Sequence, residues 1–251
     1  MATVLVTGID RGLGLALVEQ LNDLDTVSKV FGTIRSPSAD LDALVAKSNG
    51  KIIVLKMDVT DEESIKKVVP EVEAKLEGKG LDILINNAGI AQYAPDGVKC
   101  MDNLQESLTV NVMGVHWVTR NFLPLLYKGN LKKVINMATT LGSIALMPKN
   151  IYLPAPAYKI SKACINALTV EYAVNYKNEG FSFIALCPGW MKTELGGGEM
   201  ADLTPAEGAK ASLDIIFTPG QVYNGQMPKV LVKGWENNPG MNQYDGTNAP
   251  W

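Results

Sequence analysis

Thr7-Gly8-Ile9-Asp10-Arg11-Gly12-Leu13-Gly14 follows the apolar run Val4-Leu5-Val6 and opens an amphipathic stretch, so its glycines fall where a strand gives way to a helix. Such a turn aims backbone N–H groups and the positive end of the helix dipole at one spot, and residues without a Cβ let a pyrophosphate approach that backbone. The stretch predicts a dinucleotide site built from Gly8, Asp10, Arg11, Gly12, Leu13 and Gly14. A tight turn with no ligand is the alternative, because glycine-rich turns are common. The switch from strand to helix periodicity at the glycines weighs against it.

Outward from this turn, apolar runs of strand length recur at 3–7, 30–34, 51–56, 81–86, 133–137, 182–187 and 229–232, with helical patterns between them. Runs apolar on both faces that alternate with helices predict a parallel sheet covered on both sides, here seven-stranded and doubly wound. No linker, repeat or low-complexity stretch divides the chain, so residues 1–251 read as a single α/β domain. Thr60 with Glu63, and Thr204 with Pro205 and Glu207, have the form of helix-starting capping boxes. Pro70 and Pro124 inside helical patterns predict a kink or an end. The least regular parts are 143–156, 196–203 and the tail from Gly234. The first two should emerge beyond the carboxyl ends of the strands, where open α/β sheets bind ligands, and 143–156 and 190–204 are therefore candidate substrate loops.

Composition narrows the classes. With 251 residues, 47% of them hydrophobic, the chain has ample material for a core. A net charge of −3 with scattered lysines and arginines gives no basic surface for nucleic acid or an anionic membrane. Cys100, Cys164 and Cys187 are odd in number and lack metal-ligand or CxxC spacing, so no zinc or disulfide is expected and they read as reduced, mostly buried thiols. The first strand starts too early to leave room for a signal peptide, and no apolar run approaches the ~18 residues of a membrane span. A cytoplasmic protein is the expectation.

Cofactor preference follows from Gly32-Thr33-Ile34-Arg35. A site for NAD usually has an acidic residue about 20 residues past the glycines to hold the ribose 2′-OH. Arg35 stands there instead. Its guanidinium suits a 2′-phosphate, with Arg11 able to approach the same group, so NADP(H) is expected. A solvated loop arginine is the alternative.

Tyr158 and Lys162 in Ala157-Tyr158-Lys159-Ile160-Ser161-Lys162 are four residues apart at the start of a helical pattern running to about Tyr176, and so share a helix face. A nearby ammonium favours phenolate, which would lower a phenol pKa of about 10 and make it a general acid or base near neutrality. By itself the pair also fits an ordinary surface contact.

Taken together these residues resemble the short-chain dehydrogenase/reductase family along nearly the whole chain. Thr7-Gly8, Gly12 and Gly14 fit its TGxxxGxG; Asp58-Val59 fits the pair beside the adenine; Asn86-Asn87-Ala88-Gly89 fits its NNAG; Asn111 fits its structural and catalytic Asn; Tyr158 and Lys162 fit YxxxK; Pro188-Gly189 with Thr193 fits the PGxxxT that meets the nicotinamide end. Leu141-Gly142-Ser143-Ile144, Pro188-Gly189-Trp190, Tyr244-Asp245-Gly246-Thr247 and Pro250-Trp251 are similar to the C-signal or sniffer-like carbonyl reductases and fungal ketoreductases. The resemblance implies a Rossmann-like fold and an NADPH-dependent carbonyl reductase. Tyr158 would be the proton donor, Lys162 would hold the nicotinamide ribose, and Asn111 would support a water relay. Asn111 as a helix cap, and Asn87 to Gly89 as a strand-ending turn, are the plainer alternatives. Relatives commonly pair through helices that here span 104–127 and 158–176, which implies a homodimer or homotetramer.

One position departs from the family. Where it has a carbonyl-binding Ser, Asn136-Met137-Ala138-Thr139-Thr140-Leu141-Gly142 aligns Thr139, which keeps the hydroxyl but adds a methyl. Thr140 and Ser143 are weaker substitutes. The substitution keeps open a non-redox cyclase or isomerase on the same scaffold, or a non-catalytic NADP(H) sensor. Thr139 and Tyr158 are also farther apart than usual, which reads as an insertion, Met147 to Pro154, able to line a hydrophobic pocket or to pack. Tyr152 there, and Trp190 with Met191, are candidate substrate contacts. Gly196 to Gly198 fits a hinge or an ordinary loop, and His116, the only histidine, fits a helix face or core.

Overall fold

Strand β1 (Ala2–Thr7) is buried along its whole length and lies at the middle of one parallel sheet of order β3-β2-β1-β4-β5-β6. The computed structural model describes residues 1–239 and 242–251; Gly240 and Met241 of the irregular tail lie outside the described residues. The other strands are β2 (Val27–Ile34), β3 (Ile52–Lys56), β4 (Ile83–Asn86), β5 (Lys133–Met137) and β6 (Ser182–Leu186). Helices alternate with them: α1 (Gly12–Asp23), α2 (Ala39–Lys47), α3 (Glu62–Leu76), α4 (Leu104–Leu108), α5 (Val115–Tyr127), α6 (Pro156–Asn175) and α7 (Pro205–Ile216).

The period of two in each strand sends alternate side chains to two cores. Val4, Val6, Ile83, Ile85 and Ile135 pack with α1 and α7 on one face, while Leu5, Phe31, Leu84, Val134 and Phe183 pack with α3 and α5 on the other. The strand order reverses between β1 and β4, and the crevice beyond their carboxyl ends is the expected place for a ligand. Buried amides tie those ends together. Asn86 Nδ2 donates to Thr119 Oγ1 (3.0 Å) and Asn136 Oδ1 (2.9 Å), and Asn136 Nδ2 donates to Thr169 Oγ1 (2.9 Å), joining β4 and β5 to α5 and α6.

Three expectations are corrected. The seventh strand does not form: residues 229–232 meet β6 only at an isolated parallel bridge, Cys187 with Lys229. Pro228 has no N–H to extend that ladder, and antiparallel bridges to Asn248 and Asp245 occupy the other side of the run. Of the kink or end expected at each proline, the end is excluded, since Pro70 and Pro124 lie within α3 and α5 on exposed positions where water can satisfy the freed carbonyls. Helix α3 is capped by Asp61, whose side chain accepts from Glu63 N–H, while Thr60 Oγ1 donates to Asp58 one residue outside the cap. The pattern over 104–127 is broken into α4, a π-helical segment Thr109–Gly114, and α5. The capping box at Thr204 and Glu207 is present in both directions.

Candidate functional site

The crevice opens into a cleft of about 1180 Å³ that runs from the glycine turn, past α6, to the loops after β5 and β6. At one end, Gly8, Asp10, Arg11, Gly12, Leu13 and Gly14 all line it. Helix α1 starts there with Arg11 at its N-cap in extended conformation, with no side-chain cap and no acidic residue in its first turn. Asp61 caps α3 and Thr204 caps α7, so the first-turn N–H groups of α1 are left facing the cleft by contrast. Gly14 is required by close approach: a Cβ there would lie 2.0 Å from the Gly8 carbonyl oxygen. Asn87 braces the turn from β4, its Nδ2 donating to the carbonyls of Thr7 (2.9 Å) and Gly8 (2.8 Å) while Thr7 Oγ1 accepts from the Asn87 and Ala88 N–H groups. The segment at Asn87 to Gly89 thus ends β4 and holds the glycine loop at once.

Arg35, exposed at the end of β2, lines the same end of the cleft with Asp58 and the buried Val59. Burial raises the Asp58 carboxyl, but the Thr60 N–H and hydroxyl, with Arg35 nearby, hold it below the ordinary carboxylate range. Arg11 lines the cleft as well. Its guanidinium pairs with Glu194 (2.8 Å), because Thr193 and Glu194 fold back over the glycine turn and bring the carboxylate within reach.

Deeper in the cleft, Asn111, Gly89 and Lys162 converge. A Cβ on Gly89 would lie 3.1 Å from Asn111 Oδ1 and 3.9 Å from Lys162 Nζ. Asn111 sits in the π-helical turn, a local geometry frequent at functional sites, with its side chain fully used: Nδ2 donates to Ile90 O and Ser161 Oγ, and Oδ1 accepts from Ile90 N–H, all at 2.9 Å. It therefore bridges the loop after β4 to α6 and is no cap of its own helix. On α6, Lys162 Nζ donates to Met137 O (2.6 Å) and lies 5.7 Å from the centre of the Tyr158 ring. Burial pushes the Lys162 ammonium down to about 8. Burial, with Cys187 and Tyr93 alongside, pushes the Tyr158 phenol above its ordinary range. The expected lowering by the ammonium is overturned, since desolvation of the phenolate outweighs a cation that is itself desolvated.

Thr139 lines the cleft and caps the short turn Thr140–Gly142, its Oγ1 accepting from Leu141 N–H at 3.3 Å, which leaves the hydroxyl proton to donate elsewhere. Gly142 sets that turn directly against α6, where a Cβ would lie 2.6 Å from the Lys162 carbonyl carbon. Ser143 is fully buried with its Oγ accepting from Leu146 N–H and does not line the cleft, whereas Thr140 does. Thr140 and Gly189 hydrogen-bond the Cys187 thiol, which burial nonetheless pushes up.

Pro188, Gly189, Trp190 and Thr193 line the far wall, and Tyr152, half exposed, stands opposite on the 143–156 loop. The run Gly196 to Gly198 is tied to its own loop, through Gly196 N–H to Thr193 Oγ1 (3.0 Å), Gly198 N–H to Thr193 O (2.9 Å) and the Trp190 indole N–H to Gly196 O (2.7 Å). Several lining residues escaped the sequence reading: Tyr93, Cys187, Lys229 and, in the tail, Asn242 to Tyr244 and Thr247 to Pro250. The terminal Tyr244-Asp245-Gly246-Thr247 was a signal for the last of these, but nothing in the linear order places it at the cleft.

Outside the cleft, His116 on α5 meets the Tyr172 hydroxyl (2.9 Å), and burial pushes its imidazole down. The thiols correct an expectation, since only Cys187 is buried while Cys164 is half-buried and Cys100 exposed in the irregular stretch before α4. No helix among the described residues is long and apolar enough to cross a membrane.

Comparisons with known proteins agree with this geometry. The short chain dehydrogenase family model matches residues 2–203. The short chain dehydrogenase virK of Hypocrea virens is 32% identical over 94% of this chain and 92% of its own. Among solved structures, an NADPH-bound carbonyl reductase from chicken fatty liver superposes with a TM-score of 0.87 at 30% identity, covering 100% of this chain and 94% of that one. The carbonyl reductase Sniffer of D. melanogaster superposes at 0.84 with 28% identity and full coverage of both chains. With a matching model over the glycine turn, the Asn111 bridge and the Tyr158–Lys162 face together, the chain belongs to the short-chain dehydrogenase family.

Proposed function

We propose that the chain is an NADPH-dependent carbonyl reductase that converts a bulky aromatic or polyketide-derived ketone or aldehyde to the alcohol, with Tyr158 as proton donor. The observation that carries this reading is the convergence, in one cleft, of an uncapped glycine-rich helix start with Thr139, Tyr158 and Lys162. The cradle fits a dinucleotide, because the first-turn N–H groups of α1 are unclaimed by side chains and the backbone is so close at Gly14 that no Cβ is admitted. Gly8, Asp10, Arg11, Gly12, Leu13 and Gly14 would hold the pyrophosphate, Asp58 and Val59 the adenine, and Arg35 the 2′-phosphate. Asn87, Ala88, Gly89, Pro188, Gly189 and Thr193 would flank the nicotinamide half, with Tyr158 and Lys162 at its ribose. When bound, the reduced nicotinamide supplies the hydride that a carbonyl carbon accepts.

The chain's own residues do the rest. Thr139 donates its hydroxyl proton in a hydrogen bond to the carbonyl oxygen and polarises it. Tyr158, kept protonated by burial, gives its proton to the alkoxide that forms, a transfer that runs downhill from a phenol to an alkoxide. Lys162 holds positive charge beside the phenolate left behind, and Asn111 fixes the distance between α6 and the loop after β4 through which that charge is positioned. The aromatic and apolar wall of Tyr93, Leu146, Tyr152, Leu153, Trp190 and Met200 supports a large hydrophobic substrate. Cytoplasmic location and assembly as a homodimer or homotetramer complete the reading, supported by unpaired thiols and by Met113, Tyr127 and Val174 exposed along the α5 and α6 layer.

The test follows NADPH absorbance during incubation with aromatic ketones, quinones and aldehydes, for the wild type and for Tyr158→Phe. Turnover should fall about 10³-fold in the variant while NADPH binding stays within about twofold. Product formed without NADPH consumption would establish a non-redox cyclase or isomerase, and saturable NADPH binding without turnover on any compound would establish a sensor.

A further inference from the structure

We propose that Tyr244, on the carboxyl-terminal tail, is a positioning residue that sets substrate specificity by fixing Trp190 in the wall of the cleft, a role that rests on the reductase reading above. Tyr244 is 54 residues from Trp190 in sequence and yet lies under the Pro188-Gly189-Trp190 turn: it is 4% exposed, and a Cβ on Gly189 would be 3.3 Å from its ring. Its hydroxyl makes two bonds, accepting from the Trp190 N–H (3.2 Å) and donating to Asp202 Oδ2 (2.5 Å). Asn242 Nδ2 donates to the same carboxylate oxygen (2.8 Å).

These bonds join the two ends of the 190–203 loop. Trp190 O accepts from the Asp202 N–H (3.2 Å) and the Leu203 N–H (3.0 Å), and the indole N–H is held by Gly196 O, so each polar group of Trp190 has a partner. The loop has no strand or long helix to shape it, and its geometry depends on such ties. Two of them meet at one phenol oxygen. The phenol is itself held: Tyr244 O accepts from Val232 N–H (2.9 Å), and its ring packs against Trp235 at 5.6 Å between centroids. Burial pushes the hydroxyl well above the ordinary phenol range, which keeps its proton available to Asp202 throughout the working pH range. A wall residue with every polar group tied presents a fixed face, and a fixed face discriminates between substrates that fill the pocket and those that do not.

The substitution Tyr244→Phe keeps the ring and removes only the oxygen, and Asp202→Asn alters the other partner. With 1-acetonaphthone as the bulky probe and propanal as the small one, the ratio of kcat/KM for bulky over small should fall about tenfold in each variant, mainly through KM for the bulky ketone. The double variant should be no worse than either single one, because both act through the same oxygen. In protein labelled with 5-fluorotryptophan, the Trp190 line, assigned by its loss in Trp190→Phe, should shift or broaden in both variants. An unchanged ratio overturns the proposal even if melting temperature drops, since a merely structural role would lower stability without altering selectivity. If the wild type reduces neither probe, the reductase reading fails by itself, and the fluorine line then decides this proposal: a Trp190 line identical in wild type and Tyr244→Phe overturns it.

Discussion

The two halves of the cleft are built in opposite ways. At the nucleotide end, short turns at the tips of β1, β2, β3 and β4 carry the lining residues, and Asn87, just past β4, braces the glycine turn. At the substrate end, the lining comes from long segments after β5 and β6 and from the tail, held by side-chain bonds such as those of Thr193, Asp202 and Tyr244. A sheet edge allows little choice of geometry, and so the first half follows from local pattern. The second half depends on which distant segments meet.

The largest effect should come where the rigid half admits no change. Gly14→Ala places a Cβ 2.0 Å from the Gly8 carbonyl oxygen, so α1 must move away from the turn. NADPH affinity measured by titration should fall about a hundredfold or more, as expected for a shift of about 1 Å in a positioned site. Retention of wild-type affinity would show that the nucleotide end is as adaptable as the substrate loops and would erase the contrast.

Arg35→Ala acts on a side chain in that same half. Loss of charge-assisted hydrogen bonds should raise the Michaelis constant for NADPH by about 10- to 100-fold and leave that for NADH nearly unchanged. Equal effects on both coenzymes would mean that the exposed guanidinium does not read the 2′-phosphate.

A third measurement probes the junction of the halves. Lys162, held down to about 8 by burial, carries its charge below that pH and loses it above. The kcat/KM for reduction should therefore fall about tenfold per pH unit as pH rises past about 8. For stability the sign is reversed. Between about 8 and the ordinary lysine value near 10.5 the unfolded chain holds the extra proton, so the cost of burying this ammonium fades as pH rises through that window.

The smallest effect belongs to the start of α7, where side chains rather than a ligand satisfy the first-turn N–H groups. Thr204→Ala removes the capping box of α7 and should cost about 1 kcal/mol, a drop of roughly 2–4 °C in melting temperature, with NADPH affinity unaltered. The uncapped start of α1 is the counterpart: a loss of affinity in Thr204→Ala would show that the two helix starts do not divide structural and binding work as proposed.

What was legible in the sequence follows the same division. The glycine turn, Arg35 after β2, and Tyr158 with Lys162 on one face were readable because each depends on spacing within a single element. Other features were not. The break of 104–127 at a π-helical turn has no signature in apolar periodicity, which looks continuous across Asn111. The failure of the seventh strand turned on Pro228, a single missing donor just before a run that is otherwise strand-like. Asp61 took the cap expected of Thr60 because the helix starts one residue later than the spacing suggested, a boundary that sequence pattern fixes poorly. The exposed pairing of Arg11 with Glu194 was likewise hidden, because the partner is brought from far along the chain.

By itself, then, the sequence determined that a parallel α/β sheet would form, that its first turn would suit a phosphate, and that a tyrosine and a lysine would share a helix face. Those properties arise from hydrophobic period, missing Cβ atoms and the pitch of a helix, all of which act over a few residues. Only the tertiary structure decided that burial raises the Tyr158 phenol above its ordinary range, that Asn111 bridges the loop after β4 to α6, and that Tyr244 lies under the Pro188-Gly189-Trp190 turn. Burial and long-range hydrogen bonds depend on neighbours that meet only when the chain has closed on itself.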